Sequence, residues 1–289
     1  MTADPAEVSL TTSTTDGIVR VLTGLGLEEG TEIVTAEDEH PGLLGPLAAL
    51  ARRGVAVRAV PFAELPDAVG PHTGLVACSH VSWVSGEVRP EALAGLDVPV
   101  LLDGAQGVGA VPVDVTALGC AAYAGSGQKW LCGPDGLGML WVSPGLRERM
   151  TVPGPGYTNL AVPGAGLEAE PWPDGRGLDS PSLPPENVAA AVAAHAVLDE
   201  EGWPAVHARA RELAEQLAAA LRAGGREVAP RGPTTLVAFS SPDPEAEVAR
   251  LVEHGVVVRP LPGRPLLRAS VGAWNDGSDL ERLLTALAR

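Results

Sequence analysis

The chain has 289 residues, of which 45% are hydrophobic, enough for one large domain or for a large domain with a smaller one. Its formal net charge is −16, which argues against nucleic acid or an anionic membrane surface as a partner, because both attract basic faces. No apolar run approaches the ~18 residues of a membrane span and no signal region opens the chain, so we expect a soluble, cytoplasmic protein.

The first part of the chain alternates predicted strands with predicted helices. The strand candidates are "AEVSLTT", "TEIVTAE", "VAVRAVPF", "GLVACSHV" and "VPVLLDGA". The segment "STTDGIVRVLTGLGL" predicts a helix, and the apolar spacing from Leu43 to Ala51 predicts another that ends before Gly54. This alternation predicts an α/β fold with a largely parallel sheet. Ligands of such sheets bind beyond the carboxyl ends of the strands, where polar clusters such as "TTSTTDG", "AEDEHPG", "SHVSW" and "DGAQG" follow.

Residues 151–185 are rich in proline and glycine, and we expect a long irregular connection there. After it, apolar spacing from Val206 to Leu221 predicts a helix, and Leu280 to Leu287 predict a closing one. Strand candidates between them are "TTLVAFS", "GVVVRP" and "PLLRASV". We therefore predict a large domain over residues 1–185 and a small α+β domain over residues 186–289.

Lys129 is the only lysine of the chain, whereas nineteen residues are arginine. One explanation is that Lys129 is an ordinary surface residue in a sequence whose coding bias favours arginine over lysine. Arginine, however, replaces a solvated lysine at little cost but cannot serve as a neutral amine nucleophile. The count therefore favours a lysine that forms an imine, either with a carbonyl substrate or with pyridoxal phosphate.

Two further clusters fit the same chemistry. Asp103 ends an apolar strand, where a carboxylate can keep a pyridinium nitrogen protonated, although it could also cap a helix. Ser13, Thr14 and Thr15 stand at a strand–helix junction, where hydroxyl and amide groups can bind a phosphate or simply cap the helix.

The motifs "STTDG", "DEHPG", "SHVSW", "LLDGAQGVG" and "SGQKWLCGPDGLG", in this order, resemble those of class V aminotransferase-fold enzymes, which use pyridoxal phosphate and have fold type I. The group includes cysteine desulfurases, cystine C–S lyases and isopenicillin N epimerase. The resemblance implies a mostly parallel sheet of the seven-stranded type flanked by helices, with a smaller C-terminal α+β domain, and a homodimer.

The resemblance also implies roles for individual residues. Lys129 corresponds to the Schiff-base lysine and general base, Asp103 to the partner of the ring nitrogen, and His40 to the histidine that stacks on the ring. The remaining cofactor contacts implied are Gln106 at the ring oxygen and, around the phosphate, Thr14, Thr15, Ser126, Gln128 and, across the dimer, Ser182. Arg268 corresponds to the arginine that binds the substrate carboxylate, with Arg259 as a second candidate and Trp83 beside the substrate.

Among the reactions of this group, direct C–S lysis of a cysteine-derived amino acid is the first expectation. Desulfurases carry a cysteine shortly before the carboxylate-binding arginine, and "GVVVRPLPGRPLLRAS" contains none. Cys132 lies in a different segment, and we expect it to be a small core-like residue. An aminotransferase, an epimerase and a non-catalytic scaffold of the same fold remain alternatives.

The chain also departs from the group's pattern. Trp83 stands where the usual residue is asparagine, and the pattern around "GLDSPSLPP" is degraded. The segment before "STTDG" is shorter than in the group, which fits either a naturally shortened amino terminus or a truncated start.

Overall fold

The computed structural model describes residue 1 and residues 3–289. They divide into two compact units, the first comprising Met1–His80 and Arg89–Val197 and the second Val81–Val88 and Leu198–Arg289. The predicted domain boundary after residue 185 coincides with the start of a long helix, Pro185–Glu201, whereas the units divide within that helix. The boundary at residue 185 stays a prediction.

A seven-stranded sheet forms the centre of the first unit. Its strands are in the order β1-β7-β6-β5-β4-β2-β3, and β7 alone runs against the direction of the others. They span Val8–Thr11 (β1), Glu32–Ala36 (β2), Ala56–Val60 (β3), Thr73–Ser79 (β4), Val100–Asp103 (β5), Ala122–Ser126 (β6) and Gly138–Val142 (β7). This mostly parallel sheet with flanking helices confirms the predicted fold class.

Apolar side chains cover both faces of the sheet. On β4, Leu75 and Ala77 belong to one core cluster, while Val76 and Cys78 belong to a cluster on the other face. Successive strand residues point to opposite faces, so a strand that is covered on both has apolar residues throughout. This burial explains why "GLVACS" has no alternation of apolar and polar residues.

The first three helices begin at capping residues. They span Thr14–Gly24 (α1), Pro41–Ala51 (α2) and Pro144–Arg147 (α3), and the fourth helix, Pro185–Glu201 (α4), crosses the division between the units. Ser13 caps α1 by accepting a hydrogen bond from Asp16 N, and the helix buries Ile18, Val21 and Leu22 in the core. These three apolar residues lie on one helical face and hold the helix start against the sheet.

The second unit is a small antiparallel sheet with three helices. The strands are in the order β8-β10-β9, and they span Leu236–Ser240 (β8), Arg259–Pro260 (β9) and Leu266–Ser270 (β10). The helices are Trp203–Ala223 (α5), Pro244–Glu253 (α6) and Gly277–Leu287 (α7). Leu213, Leu217 and Leu221 of α5 are buried in one cluster with Phe239 and Leu267. The predicted leucine stripe is therefore the core face of α5.

The structure differs from the predicted elements at several places. It contains α4, α6, β6 and β7, which were not predicted, and it reduces the predicted strand "GVVVRP" to Arg259–Pro260. Val257 in that segment is 85% exposed and precedes a short edge strand, so its apolar run does not mark a buried strand. The stretch 151–185 contains only short 3₁₀ turns before α4 begins, which confirms the expected irregular connection.

Within the described residues, no helix combines the length and apolar character that crossing a membrane requires. Among those same residues, no cluster of three or more histidine, cysteine or carboxylate side chains is arranged to bind a metal ion.

Candidate functional site

The carboxyl ends of five strands meet at one edge of the large sheet. The strands β1, β2, β4, β5 and β6 all run the same way, because β1 and β6 are both antiparallel to β7. Predicted site residues follow these ends: Thr14 after β1, His40 after β2, Asp103 on the last position of β5 and Lys129 after β6. The structure thus brings the predicted cofactor residues to the edge where such sheets bind ligands.

Asp103 is a buried carboxylate at the end of β5. Its Oδ1 accepts a hydrogen bond from Ala105 N at 2.9 Å, and turns follow, so the alternative role as a helix cap is not realised. Burial raises the pKa of Asp103, while the bond from Ala105 and the positive charge of Lys129 counteract the rise. A cationic ligand beside this carboxylate would favour its ionised form.

A buried histidine–tyrosine pair, which was not predicted from the sequence, supports the loop after Asp103. His80 Nδ1 lies 3.0 Å from the Tyr123 hydroxyl, and the two rings meet edge to face. A Cβ atom on Gly107 would lie 2.5 Å from both groups, so only glycine fits there. Burial, with a smaller contribution from the charge of Arg89, lowers the pKa of His80 to about 4 and keeps its ring neutral.

Glu39 is a second buried carboxyl group near this edge. Its Oε1 accepts a hydrogen bond from Ser79 N at 2.8 Å, and its Oε2 accepts one from Ser79 Oγ at 2.5 Å. Burial raises the pKa of Glu39 to about 7, and the nearby charge of Asp103 adds to the rise. This contact joins the loop after β2 to Ser79, the last residue of β4, which is paired with Asp103 of β5.

The start of α1 forms an oxygen-rich loop. Ser13 Oγ accepts a hydrogen bond from Asp16 N at 3.1 Å, so this hydroxyl serves as the helix cap. Thr14 is buried, and its Oγ1 has no hydrogen-bond partner among residue 1 and residues 3–289. A buried hydroxyl at a helix amino terminus is suited to an anionic ligand, since the amide dipoles favour negative charge there.

His40 is the N-cap residue of α2 and lies close to the α1 loop. Its Nδ1 accepts a hydrogen bond from Gly42 N at 3.0 Å, which leaves the ring proton on Nε2 in the neutral form. A Cβ atom on Gly42 would lie 2.6 Å from Thr15 Oγ1 and 3.1 Å from His40 Nδ1. The predicted residues Thr15 and His40 therefore flank the same glycine.

Lys129 is half-buried in the turn that follows β6. Ser126 Oγ donates to Gln128 Oε1 at 2.7 Å, so the two predicted phosphate contacts bind each other; Ser126 is buried and Gln128 is exposed. The expectation that Cys132 is core-like is wrong. Cys132 is exposed with φ +55°, because the chain reverses through the left-handed region to let Gly133 N bind Gly127 O at 2.9 Å.

Gln106 and Trp130 form a side-chain contact across this edge. Trp130 Nε1 donates to Gln106 Oε1 at 2.9 Å. Trp130 is buried, whereas Gln106 is partly exposed in the turn after Asp103. Trp130, which follows Lys129, is therefore hydrogen-bonded directly to Gln106, the residue predicted to contact the ring oxygen.

The predicted substrate residues lie in the second unit. Arg268 on β10 is buried, and its Nη1 donates to the backbone carbonyl of Trp83. It pairs with Arg259 across β10 and β9; burial lowers the pKa of Arg268 to about 10, and the charge of Arg259 adds to the effect. Arg268 Nε has no hydrogen-bond partner within the described chain, while Arg259 is exposed. A buried guanidinium with a donor to spare suits a carboxylate ligand.

Ser182, the remaining predicted residue, is exposed in the loop before α4. The chain just before it is anchored, because Ser180 N donates to Leu10 O at 2.7 Å and Ser180 Oγ donates to Asp16 Oδ2 at 2.6 Å. Within the first unit, Ser182 is therefore tethered through its neighbours to the start of α1.

Comparisons with known proteins agree on one family. A family profile described as "Aminotransferase class-V" matches residues 1–283. The chain is 29% identical to isopenicillin N epimerase of Streptomyces clavuligerus, with 98% of the chain and 80% of the relative aligned. It is 33% identical to a probable cysteine desulfurase of Pseudomonas aeruginosa, with 99% and 78% aligned.

Solved structures of the protein C-DES are similar to the whole chain. The cystine C–S lyase C-DES in complex with cysteine persulfide gives a TM-score of 0.91 at 27% identity, covering 99% of this chain and 82% of that one. A C-DES variant with glycine covalently linked to its pyridoxal phosphate cofactor gives a TM-score of 0.91 at 28% identity, covering 99% and 81%.

Proposed function

This chain belongs to the class-V aminotransferase family, and from that premise we propose that it is a carbon–sulfur lyase. Pyridoxal phosphate is its cofactor. The proposed substrate is a cysteine-derived amino acid, such as cystine, a cysteine conjugate or a cysteine sulfoxide, cleaved by β-elimination. Similarity to the cystine C–S lyase C-DES over 99% of the chain supports this choice.

The observation that carries the proposal is the placement of the cysteines. The chain has three, of which Cys78 and Cys120 are buried and Cys132 follows Lys129. None lies between Gly255 and Arg268, the segment in which desulfurases of this family carry the cysteine that takes up sulfur. Sulfur must therefore leave attached to a group from the substrate.

Two residues of the first unit support the fit of the cofactor. The buried carboxylate of Asp103, whose pKa is raised by burial, would be favoured in its ionised form by a cationic ligand, and a protonated pyridine nitrogen is one. The buried Thr14 Oγ1, which has no partner in the described chain, could donate to a phosphate oxygen at the start of α1. His40, Gln106, Ser126, Gln128 and Ser182 are the further proposed cofactor contacts.

When bound, pyridoxal phosphate supplies a protonated ring that accepts the electron pair of a broken bond at the substrate α-carbon. The charge of Asp103 would favour the protonated form of the ring nitrogen. Lys129 would anchor the cofactor, exchange it for the substrate amine and then take the α-proton as general base. Arg268 would bind the substrate carboxylate with two parallel hydrogen bonds, with Arg259 adding positive charge beside it.

The proposed β-elimination accounts for both the α-proton and the sulfur leaving group of the substrate. The α-proton moves to Lys129 Nζ, and the sulfur departs from the β-carbon and is protonated, as a thiol from a cysteine conjugate, a persulfide from cystine or a sulfenic acid from a sulfoxide. Water then converts the remaining three-carbon fragment into pyruvate and ammonia. No keto-acid acceptor is consumed, which separates the proposed reaction from transamination.

We further propose a homodimer in the cytoplasm. Helix α4 contains mostly alanine and valine, yet only Leu198 of it is buried. Val192 and Val197 of this helix and Leu167 of the irregular connection are more than half exposed. Exposed apolar groups of this kind mark interaction surfaces, and a second copy of the chain is the proposed partner. Sedimentation of the purified protein as a monomer would contradict the dimer.

The test is a visible absorption spectrum of the purified protein before and after cystine is added. We expect a yellow protein whose band shifts while pyruvate accumulates. Because Lys129 is the only lysine, borohydride reduction followed by peptide mapping should attach the cofactor to that residue alone. A protein that stays colourless in the presence of pyridoxal phosphate would contradict the proposal for Lys129.

Epimerisation of an amino acid is the second candidate, favoured by the similarity to isopenicillin N epimerase over 98% of the chain. It requires the α-proton to return from the opposite face instead of the loss of a β-substituent. A yellow protein that inverts the α-carbon without releasing pyruvate would replace the lyase by the epimerase.

A further inference from the structure

The hydrogen bond from Trp130 to Gln106 determines the orientation of the side-chain amide of Gln106. An indole nitrogen can only donate a hydrogen bond, so its partner at 2.9 Å must be the amide oxygen. The orientation of the Gln106 amide therefore follows from the chemistry of Trp130 and not from the similar shapes of oxygen and nitrogen. The opposite end of the amide is an NH₂ group, which can only donate.

The surroundings of the two residues hold this contact in place. Trp130 is 6% exposed, and a Cβ atom on Gly109 would lie 2.7 Å from its backbone carbonyl carbon, so the turn after Gln106 packs directly on Trp130. Gln106 itself is bounded by the turn in which Gly107 N donates to Gly104 O at 2.8 Å. Both partners thus lie on short, hydrogen-bonded turns at the same edge of the sheet.

We propose that Trp130 is a positioning residue that holds the Gln106 amide with its NH₂ group directed for donation to the ring oxygen of the cofactor. The inference rests on the proposed cofactor roles of Lys129 and Gln106. Without the indole N–H, the amide can turn and present its oxygen, which repels an anionic ring oxygen. Trp130 would therefore act through Gln106 and not by touching the cofactor.

This role has a spectroscopic consequence. In the loaded protein, titration of the visible band would report the proton held near Lys129, and an amide donor from Gln106 would stabilise negative charge on the ring oxygen. Loss of the donor should therefore raise the pH at which the visible band of the bound cofactor titrates. For Gln106→Ala we expect a rise of about 0.7 unit, the equivalent of one average hydrogen bond. For Trp130→Phe we expect about 0.3 unit, half of that effect, because the amide then samples both orientations.

A double-mutant cycle tests whether Trp130 acts through Gln106. The variants are Trp130→Phe, Gln106→Ala and the two combined, with the titration of the visible band and the cofactor dissociation constant as readouts. We expect the combined variant to titrate at the same pH as Gln106→Ala alone. A shift of equal size from Trp130→Phe in both backgrounds would overturn the inference, because it would show a role in packing only.

Trp141→Phe is the matched control. Trp141 is also 6% exposed, and its Nε1 donates to Glu7 Oε2 at 3.0 Å, in a contact that involves no proposed cofactor residue. It should leave the titration unchanged. If the native protein shows no visible band in the presence of pyridoxal phosphate, the proposed function fails; a native protein with a visible band whose titration is the same in the Trp130→Phe variant contradicts the positioning role alone.

Should Trp130→Phe not fold, nuclear magnetic resonance of the cofactor-free protein with the native tryptophans gives a second test. The chain has six tryptophans, each with one indole N–H signal. Replacing Gln106 by alanine should move one of these signals strongly and speed its exchange with solvent. If all the indole signals keep their positions and exchange rates, the hydrogen bond to Gln106 is absent and the inference is wrong.

Discussion

Replacing Glu39 by glutamine should change how the stability of the cofactor-free protein depends on pH. Glu39 is 3% exposed and accepts hydrogen bonds from Ser79 N and Ser79 Oγ. Glutamine has the same shape, can accept from Ser79 N and can donate to Ser79 Oγ. The substitution therefore removes the titration while keeping the contact.

The magnitude follows from the shift in pKa, which rises from 4.5 to about 7 on folding, with burial as the largest cause. Between these values the folded protein binds a proton at Glu39 that the unfolded chain has lost. The contribution of Glu39 to stability is therefore complete below pH 4.5 and disappears as the pH rises to about 7. The shift corresponds to about 3 kcal/mol, so Glu39→Gln should gain roughly that much relative to the native protein on going from pH 5 to pH 8.

Urea unfolding at pH 5, 6, 7 and 8 measures this difference. His80, whose pKa is lowered to about 4, contributes a stability that is lost at acidic pH, the opposite dependence. It is present in both proteins and cancels in their difference. Glu37→Gln is the control, since Glu37 lies in the same loop with an exposed side chain. A difference between Glu39→Gln and the native protein that stays constant from pH 5 to 8 would refute the reasoning.

Three further substitutions test other parts of the structure. Gly107→Ala should destabilise the protein by about 1–3 kcal/mol in urea unfolding, since its Cβ would overlap the buried histidine–tyrosine pair, whereas Gly45→Ala in α2 has free space and should not. Arg268→Lys should raise the KM for an amino-acid substrate about tenfold, because an ammonium cannot form two parallel bonds, while Arg211→Lys on the surface of α5 should leave it unchanged. Cys132→Gly should raise the thermal midpoint, because glycine accepts φ +55° without strain, and it should leave lyase turnover intact; a loss of turnover would contradict direct C–S lysis.

The sequence predicts most of the large sheet because short segments rich in apolar residues alternate with helical ones. Strands β1, β2, β3 and β5 lie within predicted segments, and β4 begins one residue before its segment. The polar clusters after β1, β2, β4 and β5 reach one edge because these strands are parallel. Strands β6 and β7 were missed, since "AYAGS" and "GMLWV" mix small residues with large ones. A Cβ atom added to Gly17 of α1 would lie 3.1 Å from Ala124 Cβ. The helix therefore packs closely on β6, which explains a small residue at this position of the strand.

Of the helices that were not predicted, α4 and α6 differ in how far the sequence could have revealed them. Helix α6 has a usable signal, because Asp243 caps it by accepting from Ala246 N and Pro244 takes its first position. Helix α4 has none, because apolar residues lie on all its sides and only Leu198 is buried. Its valines are exposed and do not form a single apolar face, so the periodicity of apolar residues does not indicate a helix here.

Contacts between distant residues mark the limit of sequence reasoning at the site. The motif order pointed to Lys129, Asp103 and His40 separately, and the structure places all three at one edge of the sheet. The buried pair of His80 and Tyr123 spans forty-three positions, and no local pattern announces it. No local pattern indicates the hydrogen bond from Trp130 to Gln106 either, although this bond orients the Gln106 amide.

Residues that any reaction of the cofactor would require lie in different parts of the chain from the segments that we expect to determine which reaction occurs. Asp103 and Thr14 are buried at strand and helix ends, so a change there also disturbs the packing of the first unit. The irregular connection at residues 151–185 instead holds only short turns, and Leu167 within it is fully exposed. Loops tolerate substitution far better than the ends of buried strands. Relatives with different reactions can therefore share the buried residues, and we expect the choice between lysis and epimerisation to follow changes in residues 151–185.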